Sequence, residues 1–566
     1  MKHISFVFLN LLLVSFLAQT SLATTYRVNS QASFDAAQSS ASLNDSIIWE
    51  LGIYPNIFMN ITKDNLFIAA DTLGGVLFNG SSRVNISSDS ITLQGFQWVG
   101  GNIGTQDVIN TTGSYGHFHQ LNIRAYRSYK YLRIRESSQY CRVTYCNFEN
   151  RINLSDQNIL SVLVDANQPG YHKIQWCSFK NFDGTGNDMG IEPIRIGLST
   201  QANRISRTLV EYCYFTNCDG DGELISSKAT QNVYRYNTFE DNLLAELVLR
   251  HGSEAIVYSN FFLNNKGGVR VREGQNHYIY NNYFYKIDDR PLFLQNEDSD
   301  PLDSIVVAFN TVIDSDDIRL GGPGDDPPTK VWFFNNLLTD PQDGLFEEPT
   351  KDENWVGNIA FGFLGIDMPT SGITVADPKL VQNSAGFFEL DSQSPAIDAA
   401  IAGYPSLPQF SGMDSIDVDM SLDIMGQPRP QTITDKDVGC SEYPHSVLLQ
   451  PLATEENTGP SYNSSVAIGI EKALFVDDLF HVFPNPTRGE ISLSVNLAKT
   501  SQLKLDIFDL QGRRLATFSQ AQLAAGDHTL VENISNLPAG VYTLKMQVLN
   551  LQGELQQVQV ERLVKR

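Results

Sequence analysis

A parallel β-helix is the fold this sequence predicts, and two repeated signatures with a common spacing predict it. Between Glu192 and Gln275 one short strand is written four times, as Glu192-PIRIGLS, Glu223-LISSKA, Glu246-LVLRHG and Gly268-VRVREG. A second signature is an aliphatic residue, then Cys or Asn, then a residue and usually Phe. It reads VTYCNF at Val143, IQWCSF at Ile174, VEYCYF at Val210 and YRYNTF at Tyr234, and continues through VYSNFF, IYNNYF, VAFNTV and FFNNLL to Phe333. Its anchors Cys146, Cys177, Cys213, Asn237, Asn260, Asn282, Asn310 and Asn336 lie 22 to 36 residues apart. Such spacing of β-rich units marks a solenoid, whose coils bury their apolar faces only by stacking. Asn at one repeated place suits a ladder of side-chain amides, and Cys there is a small buried hydrophobe.

The elements follow in chain order. Residues 1–23 open with Lys2 and His3, run apolar from Ile4 to Leu17 and end Ser21-Leu22-Ala23, the pattern of a secretory signal peptide. No later stretch is apolar for long enough to span a bilayer, so the chain is expected to be secreted or held at the cell surface after export through the periplasm. Residues 24–445 form the solenoid with its capping region, since the repeats fade after Asn358 and an open last rung is a sticky sheet edge. Residues 446–475, rich in Glu, Asn, Gly, Pro and Ser, read as a linker. Residues 476–566 alternate strands with Gly and Asn/Pro turns, a small C-terminal β-sandwich. The whole is all-β.

Six cysteines in an exported chain invite disulfides, but Cys146, Cys177 and Cys213 fill the inward rung position of the asparagines and are expected as free thiols. Cys141, Cys218 and Cys440 are left open by the pattern. The net charge of −24 argues against nucleic acid as a partner. Basic residues nevertheless cluster: Arg195, Arg204, Arg207, Lys228, Arg250, Arg270 and Arg272 fall within one stretch, which points to an anion-binding groove.

The repeated strands also carry acids. Asp221 and Glu223, two residues apart, share one strand face, where a cation such as Ca²⁺ between them relieves their repulsion; an acidic turn solvating a corner is the plainer alternative. Glu192 and Glu246 take the matching place on neighbouring coils. Lys228 lies 22 residues, about one coil, before Arg250, so the two cations fall close together, with His251 beside them. An arginine neighbour disfavours the protonated lysine and lowers its pKa, as a general base requires. Strand parity conflicts with this: counted from the first residue of each copy, Lys228 and Arg195 sit at odd offsets, Arg250 and Arg272 at even ones.

At these residues the chain resembles a known family. GDGELISSKATQNVYRYNTF, ELVLRHG and GGVRVREGQNHYIYNNYF, with EPIRIG at Glu192 and the lead DSIIWELGIYPN at Asp45, resemble the alginate lyase and chondroitinase B family of polysaccharide lyases over about residues 25–440. The resemblance implies a right-handed parallel β-helix that cleaves a uronic-acid polysaccharide, alginate before dermatan or chondroitin sulfate, by β-elimination. It implies Lys228 as the base for the C5 proton and Arg250 as the group that stabilises or protonates the leaving O4. Arg195, His251, Arg270 and His277 match substrate-binding positions. Asp221 and Glu223 match calcium ligands, while the third ligand, an Asn, has no clean counterpart: strict spacing gives Met189, with Asn187 and Asp188 close by. The tail, with FPNPTRGE at Phe483, DLQGRRL at Asp509, LPAGVYTLKM at Leu537 and the end Lys565-Arg566, resembles the sorting domain of the type nine secretion system, whose machinery is the implied partner. A carbohydrate-binding sandwich is the alternative for the tail. A non-catalytic glycan-binding β-helix is the alternative for the solenoid, and a polygalacturonase-like hydrolase is disfavoured because no NTD, DD and GHG series is present.

Overall fold

In the computed structural model the chain forms two compact units, residues 1–463 and 464–566. The described residues are 23–566 except 153–157, 185–189, 296–300, 322–326, 446–450, 463–479, 509–513, 551–554 and positions 351, 370, 404, 415, 418, 419 and 498. The expected signal peptide thus lies outside them but for its last residue, as do Asn187, Asp188 and Met189.

The first unit is a parallel β-solenoid of about 12 turns. Each turn has three short strands. Those of the first face, such as Lys173–Gln175 and Leu209–Glu211, stack into a 15-stranded parallel sheet among the described residues. The second and third faces, for example Tyr214–Cys218 and Glu223–Ser227, join around a shallow corner into one 24-stranded sheet. The bend from first to second face is made by one left-handed residue per turn: Tyr145, Trp176, Tyr212, Tyr236, Ser259, Asn281, Phe309 and Asn335 all have φ between 50° and 57°.

The residue after each of these is the repeated Cys or Asn, and its role is now physical. Asn237, Asn260, Asn282, Asn310 and Asn336 each donate from Nδ2 to Oδ1 of the next, at 3.0 Å, and Asn358 ends the ladder. Each Nδ2 also reaches a strand carbonyl of the preceding turn, as Asn237 does to Val210 at 3.0 Å. The cysteines meet that same need: Cys177 Sγ lies 3.5 Å from the Val143 carbonyl and Cys213 Sγ 3.6 Å from that of Ile174. All six cysteines are free and buried, including the three the pattern left open. A second ladder at the next bend runs Asn242 to Asn265 at 2.9 Å. Inside, the repeated Phe forms a stack, Phe148–Phe179–Phe215–Phe239–Phe262–Phe284, with centroids 4.7 to 5.1 Å apart. The spacing is the strand spacing, so dispersion contact repeats with every rung.

The N-terminal end is closed by a helix the repeat pattern does not announce, Gln31–Ser40, capped by Ser30 and buried through Phe34 and Ala37. The capping region lies along the outside of the first face as well as beyond the last rungs. From Leu209 onward that face turns apolar (Leu209, Val233, Ile256, Tyr258, Tyr280), and Leu390, Ala396, Leu407, Phe410, Ile416 and Met420 cover it. Residues 451–462, within the span expected as linker, lie against the solenoid: Gly459 N donates to Trp176 O, Lys180 pairs with Glu455, and the Tyr462 hydroxyl donates to the Phe96 and Gln120 carbonyls.

The second unit packs a three-stranded and a four-stranded antiparallel sheet around one core, with Leu493, Val495, Leu505, Ile507, Leu544 and Met546 inside. Its sequence hallmarks meet at one end. Thr487 N donates to Val564 O, Arg566 N to Thr487 O, and Lys565 Nζ to the Ser535 and Leu537 carbonyls. The DLQGRRL turn falls almost wholly on residues outside those described.

Candidate active site

The chemistry-bearing residues lie on the third face. Its strands Ile194–Ile196, Glu223–Ser227, Glu246–Leu249 and the C-terminal half of Phe261–Val271 stack in that order. The parity conflict is resolved by a β-bulge. Glu223 pairs with Glu246, but Ile225 pairs with Leu247, so one extra residue is absorbed between them. Beyond the bulge Lys228 is level with Arg250: Lys228 N donates to Ile196 O at 2.8 Å, Arg250 N to Ser227 O at 2.9 Å and Arg272 N to Leu249 O at 3.0 Å. Lys228, Arg250 and Arg272 therefore leave successive strands at one place, about 4.8 Å apart. The column beside them, facing outward, runs Arg195, Ser226, Val248, Arg270 and Phe293. Two glycines shape the row. Gly197 precedes Lys228 in it and presents no side chain, and its φ of +81° suits the bend. Gly252 of the RHG block has φ +82°, and a Cβ there would lie 2.6 Å from the Ala229 backbone carbon.

The acidic residue that opens each of the first three repeats takes one cation. Arg195 meets Glu192 through three contacts of 2.5 to 2.9 Å, Arg250 Nη1 donates to Glu223 Oε1, and Arg270 Nη1 lies 3.4 Å from Glu246 Oε1. His251 Nδ1 is 2.7 Å from Glu273 Oε2. Lys228 differs: no hydrogen bond or ion pair to the described residues holds its amine. Burial lowers its pKa below the ordinary lysine value; Glu223 and Glu192 raise it, and Arg195 and Arg250 lower it further. Burial alone would raise the Glu223 carboxyl, but Arg250 above all holds it below the ordinary range. Glu246, by contrast, is pushed up by burial against the opposing pull of Arg270.

Asp221 and Glu223 do not meet as a pair. Asp221 Oδ1 accepts from Glu223 N at 3.1 Å and Oδ2 from Gly190 N at 2.5 Å, which makes it the organiser of its turn. Glu223 Oε1 faces Arg250, leaving the buried Oε2 without a hydrogen-bond partner among the described residues. No group of three or more His, Cys, Asp or Glu side chains suited to a metal occurs among the described residues, and Asn187 lies outside them. Among the described residues this leaves one spare carboxylate oxygen beside a guanidinium, whereas Ca²⁺ takes six to eight oxygens.

His277, expected at the groove, is in the interior. Its Nδ1 accepts from Ala255 N at 3.2 Å and Nε2 donates to Glu273 O at 3.0 Å, and burial lowers its pKa to about 4. It is a rung residue: His172 and Asn232 stand at the same place before their strands and accept from Cys141 N and Thr208 N. That equivalence is visible in the repeat. Two participants were missed. Glu273 fixes His251, and Lys130 stands two turns before Glu192 in the same column, its amine donating to Asn158 Oδ1. Burial, and then the charge of Arg195, lower the Lys130 pKa to about 7.

Comparison with known proteins agrees with this architecture. The solenoid is similar to the PL6 family alginate lyase AlyGC at 21% identity and TM-score 0.59, over 65% of this chain and 56% of that one. It is similar at 21% identity and TM-score 0.54 to a mannuronic acid specific polysaccharide family 6 lyase from human gut microbiota, over 62% of this chain and 91% of that one. The PL6 family polysaccharide lyase Pedsa3628 from Pseudopedobacter saltans follows at 17% identity and TM-score 0.51, over 66% and 98%. This chain thus spans little more than half the length of AlyGC. No curated protein is a detectable match. The family model for the secretion system C-terminal sorting domain matches residues 481–560, and that for chondroitinase B matches residues 28–314, half of the chain. The chain belongs to the chondroitinase B family and carries a C-terminal secretion sorting domain.

Proposed function

We propose that the protein is an exported polysaccharide lyase that cleaves a uronic-acid polysaccharide, alginate foremost, by β-elimination. The observation that carries this reading is the Lys228 amine, uncommitted among the described residues, set level with an Arg250 that Glu223 clamps and next to an Arg195 that Glu192 clamps. The C5 proton of a uronate is weakly acidic because the enolate develops on an already negative carboxylate. Cationic groups fixed around that carboxylate lower the barrier. In this mechanism Arg195 and Arg270 bind the carboxylate, and the neutral Lys228 amine takes the C5 proton. The C5 electron pair forms the C4–C5 double bond as the C4–O4 bond breaks, and the Arg250 guanidinium stabilises the departing O4. A guanidinium keeps its own protons near neutrality, so the proton that O4 gains comes from the Lys228 ammonium or from water. His251, oriented by Glu273, borders the same row.

The charge work falls to arginine in this reading. Calcium, expected from Asp221, Glu223 and Asn187, would act by neutralising the uronate, and no step is routed through it because both Asp221 oxygens and Glu223 Oε1 are engaged and only Glu223 Oε2 is spare among the described donors. The sorting domain implies secretion or display at the cell surface, with the type nine machinery as the proposed partner. The deciding experiment incubates the protein with alginate, dermatan sulfate and polygalacturonate and follows the ultraviolet absorbance of newly formed unsaturated uronate. Alginate is expected to respond; a response to dermatan sulfate alone reassigns the substrate, and none with any of the three removes the lyase reading.

A further inference from the structure

The first face changes character along the solenoid axis. Its covered stretch is apolar, but in the preceding turns the same outward columns read Thr92, His117, Arg142, Lys173 and Gln94, His119, Thr144, Gln175. The capping segment stops at their border, where Asp414 meets Lys173 at 2.8 Å and the Ser411 carbonyl accepts from Arg207. The floor is partly exposed and ordered: His117 Nε2 and His119 Nδ1 lie 2.8 and 2.7 Å from the Thr144 hydroxyl, and Arg142 Nη2 lies 3.4 Å from His117 Nδ1.

Aromatic rings line both margins of this floor. Before the strands, at left-handed turn residues, Tyr115, Tyr140 and Tyr171 stack at 5.2 and 5.0 Å with rings within 5° of parallel. After them Tyr145, Trp176 and Tyr212 stack at 5.9 and 4.5 Å, and Tyr145 meets His119 edge-on. Tyr140 and Tyr145 thus flank one strand and Tyr171 and Trp176 the next, about 16 Å apart by strand rise. Tyr115 is 56% exposed and Tyr140 40%, although large aromatic side chains elsewhere in the solenoid are mostly buried. Tyr115 ends its stack, because the turns before it carry Ser90 and Asn65 at the same place, so one ring face is open. Rigid aromatic margins around a hydrogen-bonding floor that carries the Arg142 cation match a sugar chain that bears carboxylates: apolar ring faces stack, and hydroxyls and acid groups are bound between them.

We infer that this surface is a second, non-catalytic binding site for an anionic uronic-acid polysaccharide, separate from the Lys228–Arg250 row. The identity of the occupant rests on the lyase reading; the existence of the site rests on the surface itself. A site of this kind holds the polymer near the catalytic groove and raises the effective concentration of its bonds there.

The test uses the full chain with Lys228→Ala, so that polymer is bound and not consumed, and measures retardation in gels containing alginate or dermatan sulfate. Tyr115→Ala with Arg142→Ser is expected to weaken binding by roughly threefold to tenfold, the worth of one stacked ring and one cation. Arg142→Glu, at an exposed position, is expected to do the same alone. With Lys228 restored, these variants should cleave short oligouronides as the parent does and long polymer more slowly. Undiminished retardation of both variants overturns the proposal. So does equal loss on short and long substrates, because the substitutions would then be acting through the catalytic groove. If the parent cleaves neither polymer the lyase reading fails, while retardation that depends on Tyr115 and Arg142 still upholds the surface.

Discussion

Glu223 and Arg250 stand on neighbouring turns and are joined by a hydrogen-bonded ion pair, the carboxylate nearly buried and the guanidinium a quarter exposed. The acid that opens one repeat thereby aims the cation that closes the next. Glu223→Gln is expected to lower kcat by tenfold to a hundredfold, about what loss of an orienting partner costs, with KM changed less. Arg250→Ala should cost more, on the order of 10² to 10³ in kcat, as removal of a group bonded to the developing charge does. Steady-state kinetics on alginate would check both.

Lys228→Ala is expected to abolish elimination while the β-sheet circular dichroism persists. Lys228→Arg should be no better, since a guanidinium cannot act as a base near neutrality. Near-normal turnover by either variant would sink the mechanism.

The pH profile follows from the lowered Lys228 pKa. The base works when neutral, so activity rises with pH through that pKa, and the acid limb lies below the ordinary lysine range. Arg195→Gln removes a charge that disfavours the ammonium, so its limb should move to higher pH. Glu223→Gln removes a charge that favours the ammonium, so its limb should move to lower pH. Opposite displacements in kcat/KM profiles are the signature sought.

Exhaustive chelation is expected to leave turnover in place, because Asp221 is engaged by two backbone amides and Glu223 by Arg250. Loss of activity with recovery on Ca²⁺, together with calcium found by elemental analysis, would restore the metal to the mechanism.

Two stability predictions concern the frame. Asn282→Ala removes a buried amide bonded to Asn310 and to the Val257 carbonyl and takes the acceptor from the Asn260 backbone N–H, so a loss of about 3 kcal/mol is expected in denaturant unfolding. A chain ending after Asn463 should keep its melting temperature and activity, whereas one ending near residue 445 uncovers the surface under Gly459 and Tyr462 and should melt lower.

Much of this molecule was legible in the sequence because a solenoid repeats its physics. The Cys and Asn anchors had to be inward and bonded between turns, and the repeated Phe had to stack, since each coil has only its neighbours to bury against. Motif blocks in order likewise fixed the family and the sorting tail. What the sequence left open was set by register between turns some 22 residues apart. A bulge at Glu223 and Ile225 puts Lys228 level with Arg250, which counting along either strand forbids. The same local geometry turns Asp221 onto amides and Glu223 onto Arg250, and draws His277 into the interior as a rung residue. Side-chain alternation is a property of one strand, but which residues of two strands stand side by side is decided by their pairing, and that exists only in the folded chain.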